Sequence, residues 1–263
     1  MSSLVVKLGG HALELLDASS PVLVDLAQDV GQLRAQGIDV VVVHGGGPQI
    51  AALLGSVGLE SRFHEGLRIT DRPTMRYTAM ALGEVNLLIT AALNRVGLAS
   101  VGISGADAAL IRATSLGEPW ERAGGLPKVR DDIVTTLWSA GLTPIVSPVA
   151  VDERGDLLNC NADTVAGALA AALGAEVLVL LSDVDQLRSK PDDASTALSR
   201  VSATQVRAML ESQRARDGMR PKVSAALDAL NAGAKCVLLA NGTRRHALRD
   251  ALARSVPTTE VVR

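Results

Sequence analysis

Short apolar runs that end in glycine recur along the chain and alternate with stretches of helical spacing. Residues 4–8, LVVKL, predict a buried strand. Residues 21–36, PVLVDLAQDVGQLRAQ, set apolar side chains at helical intervals. Pro21 suits an early helical position there, and Gly37 suits the end. IDVVVVHGG (38–46) predicts a second buried strand, and a helix is expected from about Pro48 to Leu54, broken up by Gly55 and Gly58. Strand, helix, strand, helix is the rhythm of a parallel sheet covered on both faces.

The rhythm continues past a polar, irregular stretch at 59–72. Residues 73–96 predict a helix anchored by Met75, Ala79, Leu82, Val85 and Ile89 and stopped by Gly97. LASVGISG (98–105) predicts a strand. Residues 108–130, with Gly124, Gly125 and Pro127, predict turns or a hairpin. A helix at 133–141, one strand at 143–151 (TPIVSPVAV) and a turn at ERGD (153–156) follow. Next come a helix packed through small residues at 161–175 and a strand at 176–184. Residues 188–200, with Pro191, read as a polar loop. Helices follow at 202–213, capped by Ser202, and at 219–233, starting around Pro221. A strand at 234–242, a helix from RRHALRDALA (244–253) and TTEVV (258–262) closing the sheet edge complete the chain. A change of rhythm near 155 divides it into lobes 1–155 and 156–263. The fold class is an α/β sandwich with an open, mainly parallel sheet.

Composition narrows the function. With 48% hydrophobic and 21% charged residues, the 263-residue chain has a globular balance and room for a large core. A net charge of -2 gives no global basic field for nucleic acid or anionic membrane, and 2% aromatics make base-stacking platforms sparse. Cys160 and Cys236 form no disulfide framework or zinc spacing. His11, His44, His64 and His246 are too scattered for a metal cluster. No secretory signal opens the chain and no run nears about 18 apolar residues, so a cytoplasmic location is expected.

Three stretches carry candidate chemistry. KLGG (7–10) and HGGG (44–47) end two predicted strands. Each is read either as a tight turn or as an anion-holding turn, and neither has Walker A or GxGxxG spacing. Strand-end turns on one edge of a parallel sheet can converge on one ligand, and Lys7 would bring charge to it. In LLNCNADT (157–164), Asn159, Asn161 and Asp163 suit helix capping, the reading composition favours. They equally suit a polar hub in which amides hold a carboxylate and the aspartate orients lysines. GMRPK (218–222) adds Lys222 near a helix start, where a cation is unfavourable unless an anion offsets it.

Taken in order, VVKLGGHAL, VVVVHGGGPQI, FHEGLRITDRPTM, VGISGADAALI, LLNCNADTVAGALA, VLLSDVDQL and GMRPKVSAALDAL resemble the amino acid kinase family. GLRITD followed by TM is most similar to its acetylglutamate kinase branch. The resemblance implies a three-layer α/β/α fold. Its N-terminal lobe would bind the acyl amino acid and form a homodimer, and its C-terminal lobe would bind ATP. The implied reaction is ATP-dependent phosphorylation of the side-chain carboxylate of N-acetyl-L-glutamate, in arginine biosynthesis. Mg²⁺ would be held by phosphates and water rather than by a cluster of side chains. By the same resemblance Lys7, Lys222 and Asp163, with Gly10 and Gly46, are catalytic. Gly46, Gly47, Arg68 and Asn159 bind the acceptor, and Lys7, Gly9, Gly10, Ser182, Asp183 and Lys222 bind ATP.

Departures from the pattern affect details. His11 follows the glycine pair where many relatives have asparagine. Cys160 takes a usually apolar place and reads as a small buried hydrophobe. VGISGADAALI lacks a lysine often seen after SG, and GGLPKV replaces a GxVGEV pattern. Arginine-inhibited relatives carry an extra N-terminal helix that interlaces dimers. About three residues precede the first predicted strand here, so a dimer insensitive to arginine is expected. The alternatives are a kinase for glutamate or aminoadipate linked to a carrier protein, and a non-catalytic amino-acid sensor. The missing glycine-serine-arginine insertion counts against the first, and intact Lys7, Asp163 and Lys222 against the second.

Overall fold

The computed structural model describes residues 3–9, 13, 20–190, 192–211, 219–231 (Pro221 in its backbone only) and 234–263. The expectations for Gly10, His11 and Pro191 lie outside these residues. β1 (Ser3–Leu8) leads through α1 (Pro21–Ala35) to β2 (Asp39–His44) and α2 (Gly47–Ser56). β3 (Phe63–His64) and β4 (Leu67–Arg68) form a small hairpin before α3 (Arg72–Arg95) and β5 (Ser100–Ser104). Four short strands follow: β6 (Ile111–Arg112), β7 (Ser115–Gly117), β8 (Glu121–Gly124) and β9 (Lys128–Val129). Then come α4 (Asp132–Ser139), β10 (Thr143–Ser147), β11 (Val149–Val151), β12 (Leu157–Asn159), α5 (Ala162–Ala172) and β13 (Val177–Ser182). β14 (Leu187–Arg188), β15 (Ala197–Leu198) and β16 (Arg200–Ser202) precede α6 (Ala203–Glu211) and α7 (Met219–Asn231). β17 (Cys236–Asn241), α8 (Ala247–Leu252) and β18 (Thr258–Val262) end the chain.

The main sheet has the order β16-β18-β17-β13-β1-β2-β10-β5. From β17 to β5 every neighbouring pair is parallel, and β18 alone pairs antiparallel with β17. Side chains alternate between faces with period two. Val5, Val41, Leu178 and Leu180 enter the core beneath α5 and α7. Leu4, Val6, Val40, Val42 and Val179 enter the one beneath α1, α3 and α8. The predicted sandwich and its mainly parallel sheet are thus observed. The ends of α1 follow the sequence signals. Pro21 stands in its first turn, Gly37 takes φ +78° just beyond it, and Ile38 N–H donates to Leu33 O at 3.1 Å.

Several elements differ from expectation for local reasons. Gly55 lies inside α2, which ends at Ser56, with Gly58 beyond it at φ +74°. TPIVSPVAV is two strands in two sheets, because Pro148 interrupts it: β10 joins the main sheet and β11 a second one. That second sheet, ordered β7-β8-β12-β11-β6-β9, draws four of its strands from the 108–130 stretch. Residues 188–200 hold short strands rather than only a loop. One of these, β16, forms the sheet edge outside β18, so TTEVV does not close it. α7 already includes Met219, ahead of Pro221.

α8 starts at Ala247, later than expected, because the residues before it are committed elsewhere. Arg245 and His246 bind the buried carboxylates of Asp25 and Asp29 on α1, with His246 Nδ1 2.8 Å from Asp29 Oδ1. The Arg245 guanidinium holds the Asp25 carboxyl below the usual carboxylate range. No helix among the described residues is long and apolar enough to cross a membrane.

Candidate active site

Parallel strands deliver their C-terminal ends to one edge, where ligands of open α/β sheets gather. Here the two glycine turns touch. Gly45 N–H donates to Leu8 O at 2.8 Å, and a Cβ added at Gly45 would stand 3.8 Å from Gly9 Cα. Strand alternation sends Lys7 to the α5 side, where its Nζ lies 2.8 Å from Asp163 Oδ1, both side chains buried. A Cβ at Gly9 would come within 2.0 Å of that Nζ. Gly9 is therefore bare so that the lysine can fold back over the turn.

Asp163 is placed by the first turn of α5. Asn161 caps that helix, its Oδ1 accepting from Asp163 N–H at 2.8 Å and Thr164 N–H at 3.2 Å. Of the two readings of LLNCNADT, capping describes Asn161. Asn159 does something else: its Nδ2 donates to Thr70 Oγ1 at 3.1 Å, and Thr70 Oγ1 donates to Arg68 O at 2.9 Å.

Gly46, Gly47, Arg68 and Asn159, nominated together from the sequence, line one cleft of about 160 Å³. Arg68 is buried, and desolvation draws its pKa below the ordinary arginine value. Its guanidinium donates to Ser61 Oγ and, at 3.3 Å, to Gly47 O, and lies 4.7 Å from the Phe63 ring centroid. Among the described residues no carboxylate pairs with this cation, which suits it to an anionic ligand. Ser61 and Phe63 lie in the polar stretch at 59–72, and the sequence assigns neither of them a role, although Phe63 opens the FHEGLRITDRPTM motif. Cys160 also lines the cleft, and burial pushes its thiol up to about 12, which suits a small apolar wall residue.

The remaining nominated residues belong to the other half. Ser182 closes β13 and is buried, with Gly242 N–H donating to its carbonyl at 2.7 Å, and Asp183 follows it on the exposed edge. Lys222 is half-buried in the first described turn of α7. α7 packs closely on α5: a Cβ at Gly167 would meet Ala225 O at 3.1 Å. α5 leads into β13 and α7 into its parallel neighbour β17. Both helices therefore run against the strands and begin at the edge where Lys7 and Asp163 meet.

His44 was set aside in the sequence as one of the scattered histidines. It is fully buried, and desolvation lowers its pKa to about 4 from an ordinary 6.5. The folded protein thus refuses a proton that the unfolded chain accepts below 6.5. Stability should be retained above that pH and lost as pH falls toward 4, by about 2 kcal/mol between 6.5 and 5. Urea unfolding at pH 7 and pH 5 measures the loss, and His44→Gln should remove that share of the pH dependence.

The sequence signature of the amino acid kinase family matches residues 2–241. An acetylglutamate kinase of Symbiobacterium thermophilum is 40% identical over 256 residues, covering 94% of this chain and 86% of its own. One from Archaeoglobus fulgidus is 38% identical, covering 94% and 88%. Among solved structures, N-acetylglutamate synthase from Neisseria gonorrhoeae, complexed with coenzyme A and N-acetyl-glutamate, superposes with a TM-score of 0.84. It is 25% identical and covers 100% of this chain and 59% of that one. Giardia carbamate kinase shares the fold, with a TM-score of 0.70 at 17% identity over 100% and 99% of the two chains.

Proposed function

The chain belongs to the amino acid kinase family, and from that premise we propose that it transfers the γ-phosphate of ATP to the side-chain carboxylate of N-acetyl-L-glutamate. The observation that carries this reading is its 36–40% identity to acetylglutamate kinases over 93% or more of its length. The product is an acyl phosphate, and the step belongs to arginine biosynthesis. The acceptor carboxylate is ionised at neutral pH, so no general base is needed. Its oxygen forms the new O–P bond as the bond to the ADP oxygen breaks. The barrier is the approach of two anions, and catalysis means neutralising charge and aligning the partners.

Residue roles follow from that need. Lys7 and Lys222 hold the transferring oxygens, and Asp163 keeps the Lys7 amine in place. Gly46 and, by the family pattern alone, Gly10 are assigned to donate their amides to the developing charge. Arg68 and Asn159 hold the acceptor's α-carboxylate, with Gly46 and Gly47 along its chain. Ser182 and Asp183, with Gly9 and Gly10, bound the nucleotide. The Lys7 amine lies over the bare Gly9 Cα, at the turn assigned here to the phosphates. Among the described residues no group of three or more His, Cys, Asp or Glu side chains could hold a metal ion. In this reading Mg²⁺ arrives on the phosphates and screens their charge. Residues 1–155 serve mainly the acceptor and 156–263 mainly the nucleotide, with Asn159 and the turn after Lys7 crossing that division, and the reaction is placed in the cytoplasm.

The cleft also bears on the acceptor's size. At about 160 Å³, with the Phe63 hairpin along one wall, it suits a free acyl amino acid better than a carrier protein. Around the hairpin, exposed Glu60 and Glu65 accompany exposed Arg62 and His64, so the charge there is mixed in sign. Release of ADP dependent on N-acetylglutamate, with the acyl phosphate trapped by hydroxylamine, tests the function. Turnover with carrier-linked glutamate or aminoadipate alone would reject the free acceptor, and no turnover with any of these would reject the kinase in favour of a sensor.

The same reading includes a homodimer through α3. Met80 and Leu87, seven residues apart on one helical face, are 53% and 71% exposed. Light scattering should give twice the chain mass, and Leu87→Glu should shift it to the monomer. An unchanged mass in that variant would remove α3 from the interface.

A further inference from the structure

His44, buried at the end of β2, has no role in the reaction as described above, yet both its ring nitrogens have fixed partners. Nδ1 lies 2.8 Å from Gly45 O, and Nε2 lies 3.1 Å from Nδ2 of Asn86 on α3. Asn86 Nδ2 also donates to Ile145 O at 2.9 Å. An amide nitrogen only donates and a carbonyl oxygen only accepts. The single proton of the neutral ring therefore sits on Nδ1 and is given to Gly45, while Nε2 accepts from Asn86. Asn86 is itself seated: a Cβ at Gly102 on β5 would come within 2.0 Å of its Oδ1, so the bare Gly102 makes its berth.

The consequence lies in the next peptide unit. The carbonyl of Gly45 and the N–H of Gly46 belong to one planar trans peptide and point in opposite directions. Glycines on both sides leave that peptide little intrinsic preference for either orientation. The His44 ring holds the carbonyl on the buried α3 side, which turns the Gly46 N–H the other way, toward the cleft that Gly46 lines. A flipped peptide would present a carbonyl dipole to an incoming anion. We infer that His44 is a positioning residue: the Asn86–His44–Gly45 chain locks the glycine turn with the Gly46 amide facing the transferring charge. The catalytic consequence rests on the kinase reading above, whereas the tautomer and the lock do not.

Two measurements test it. ¹⁵N spectra of histidine-labelled protein should show His44 as the neutral Nδ1–H tautomer. An Nε2–H tautomer would overturn the inference, whether or not the protein phosphorylates N-acetylglutamate. Asn86→Asp replaces the donor with an acceptor, and Gly102→Ala pushes the amide off the ring from a residue outside the cleft. In variants that retain a cooperative thermal transition, kcat should fall about 10- to 100-fold, the range expected when an amide donor is misdirected, not lost. KM for both substrates should stay within about threefold, because the lock acts on developing charge rather than on binding. Unchanged kcat in the folded variants, or losses confined to KM, would overturn it. Should neither variant fold, the wild-type tautomer still decides.

Discussion

Lys7→Ala is expected to lower turnover by about 10²–10³-fold, the loss seen when one preorganised donor to a developing charge is removed. The same substitution strands a carboxylate. Asp163 is buried with its Oδ1 2.8 Å from the lysine amine, and breaking one side of such a pair costs about 3–5 kcal/mol of stability. Turnover alone therefore cannot separate chemistry from folding, and a second variant can. Lys7→Ala with Asp163→Asn removes both charges and should recover most of the lost stability while leaving turnover low. Denaturant unfolding and steady-state kinetics on the two proteins decide the matter. Near-normal turnover in either would remove Lys7 from the transfer step. Lys222→Ala should cost turnover on the same scale, with little change in KM for N-acetylglutamate.

Most of the main sheet is legible because its strands are apolar runs, with β1, β2, β5 and β17 closed by glycine, and several of its helices carry their own stops. α1 was bounded by Pro21 and Gly37, and α3 by its stop at Gly97, where φ is +91°. The second sheet was illegible for the opposite reason. Its strands are two to four residues long, too short for any period to register, and their pairing is set by distant partners. TPIVSPVAV read as one strand because apolar composition continues through Pro148, and only tertiary context sends its halves to different sheets. The edge position of β16 has a similar origin, since Arg200, Val201 and Ser202 carry no strand signal of their own.

Site residues divide along the same line. Lys7, Gly46, Gly47, Arg68, Asn159 and Asp163 were named from short stretches whose order resembled a family, and the fold brings the acceptor set to one cleft. Their supports could not be named that way. Ser61 and Phe63 meet Arg68 only when the β3–β4 hairpin folds, and Thr70 meets Asn159 only when the chain after that hairpin reaches β12. His44 stood in plain view as the first letter of HGGG, but its meaning depends on Asn86, a partner 42 residues away. Gly102 lies inside the predicted strand at 98–105. Its use appears only with the side chain that fills its place.

Arg68→Lys is the sharpest test of how the acceptor is held. Arg68 divides its donors between Ser61 Oγ and Gly47 O while its flat face rests on Phe63. Arg68 also lines the cleft, and each terminal guanidinium nitrogen carries a second N–H that a carboxylate can accept. Lysine keeps the charge but offers one compact ammonium, which cannot keep those contacts and also meet both oxygens of a carboxylate. Desolvation sharpens the difference, because the burial that already lowers the pKa of Arg68 would favour a neutral amine at this position still more strongly. The expected result is a rise of about 10- to 100-fold in KM for N-acetylglutamate, the scale of one or two charge-assisted hydrogen bonds. KM for ATP should hardly move. The α-carboxylate is remote from the reacting oxygen and is gripped equally in ground and transition states, so kcat should stay within a few-fold. Steady-state kinetics with each substrate varied in turn gives all three values. Equal increases for both substrates would show that Arg68 is not an acceptor-site residue. A loss in kcat alone would mean that its grip tightens only as the phosphoryl group moves.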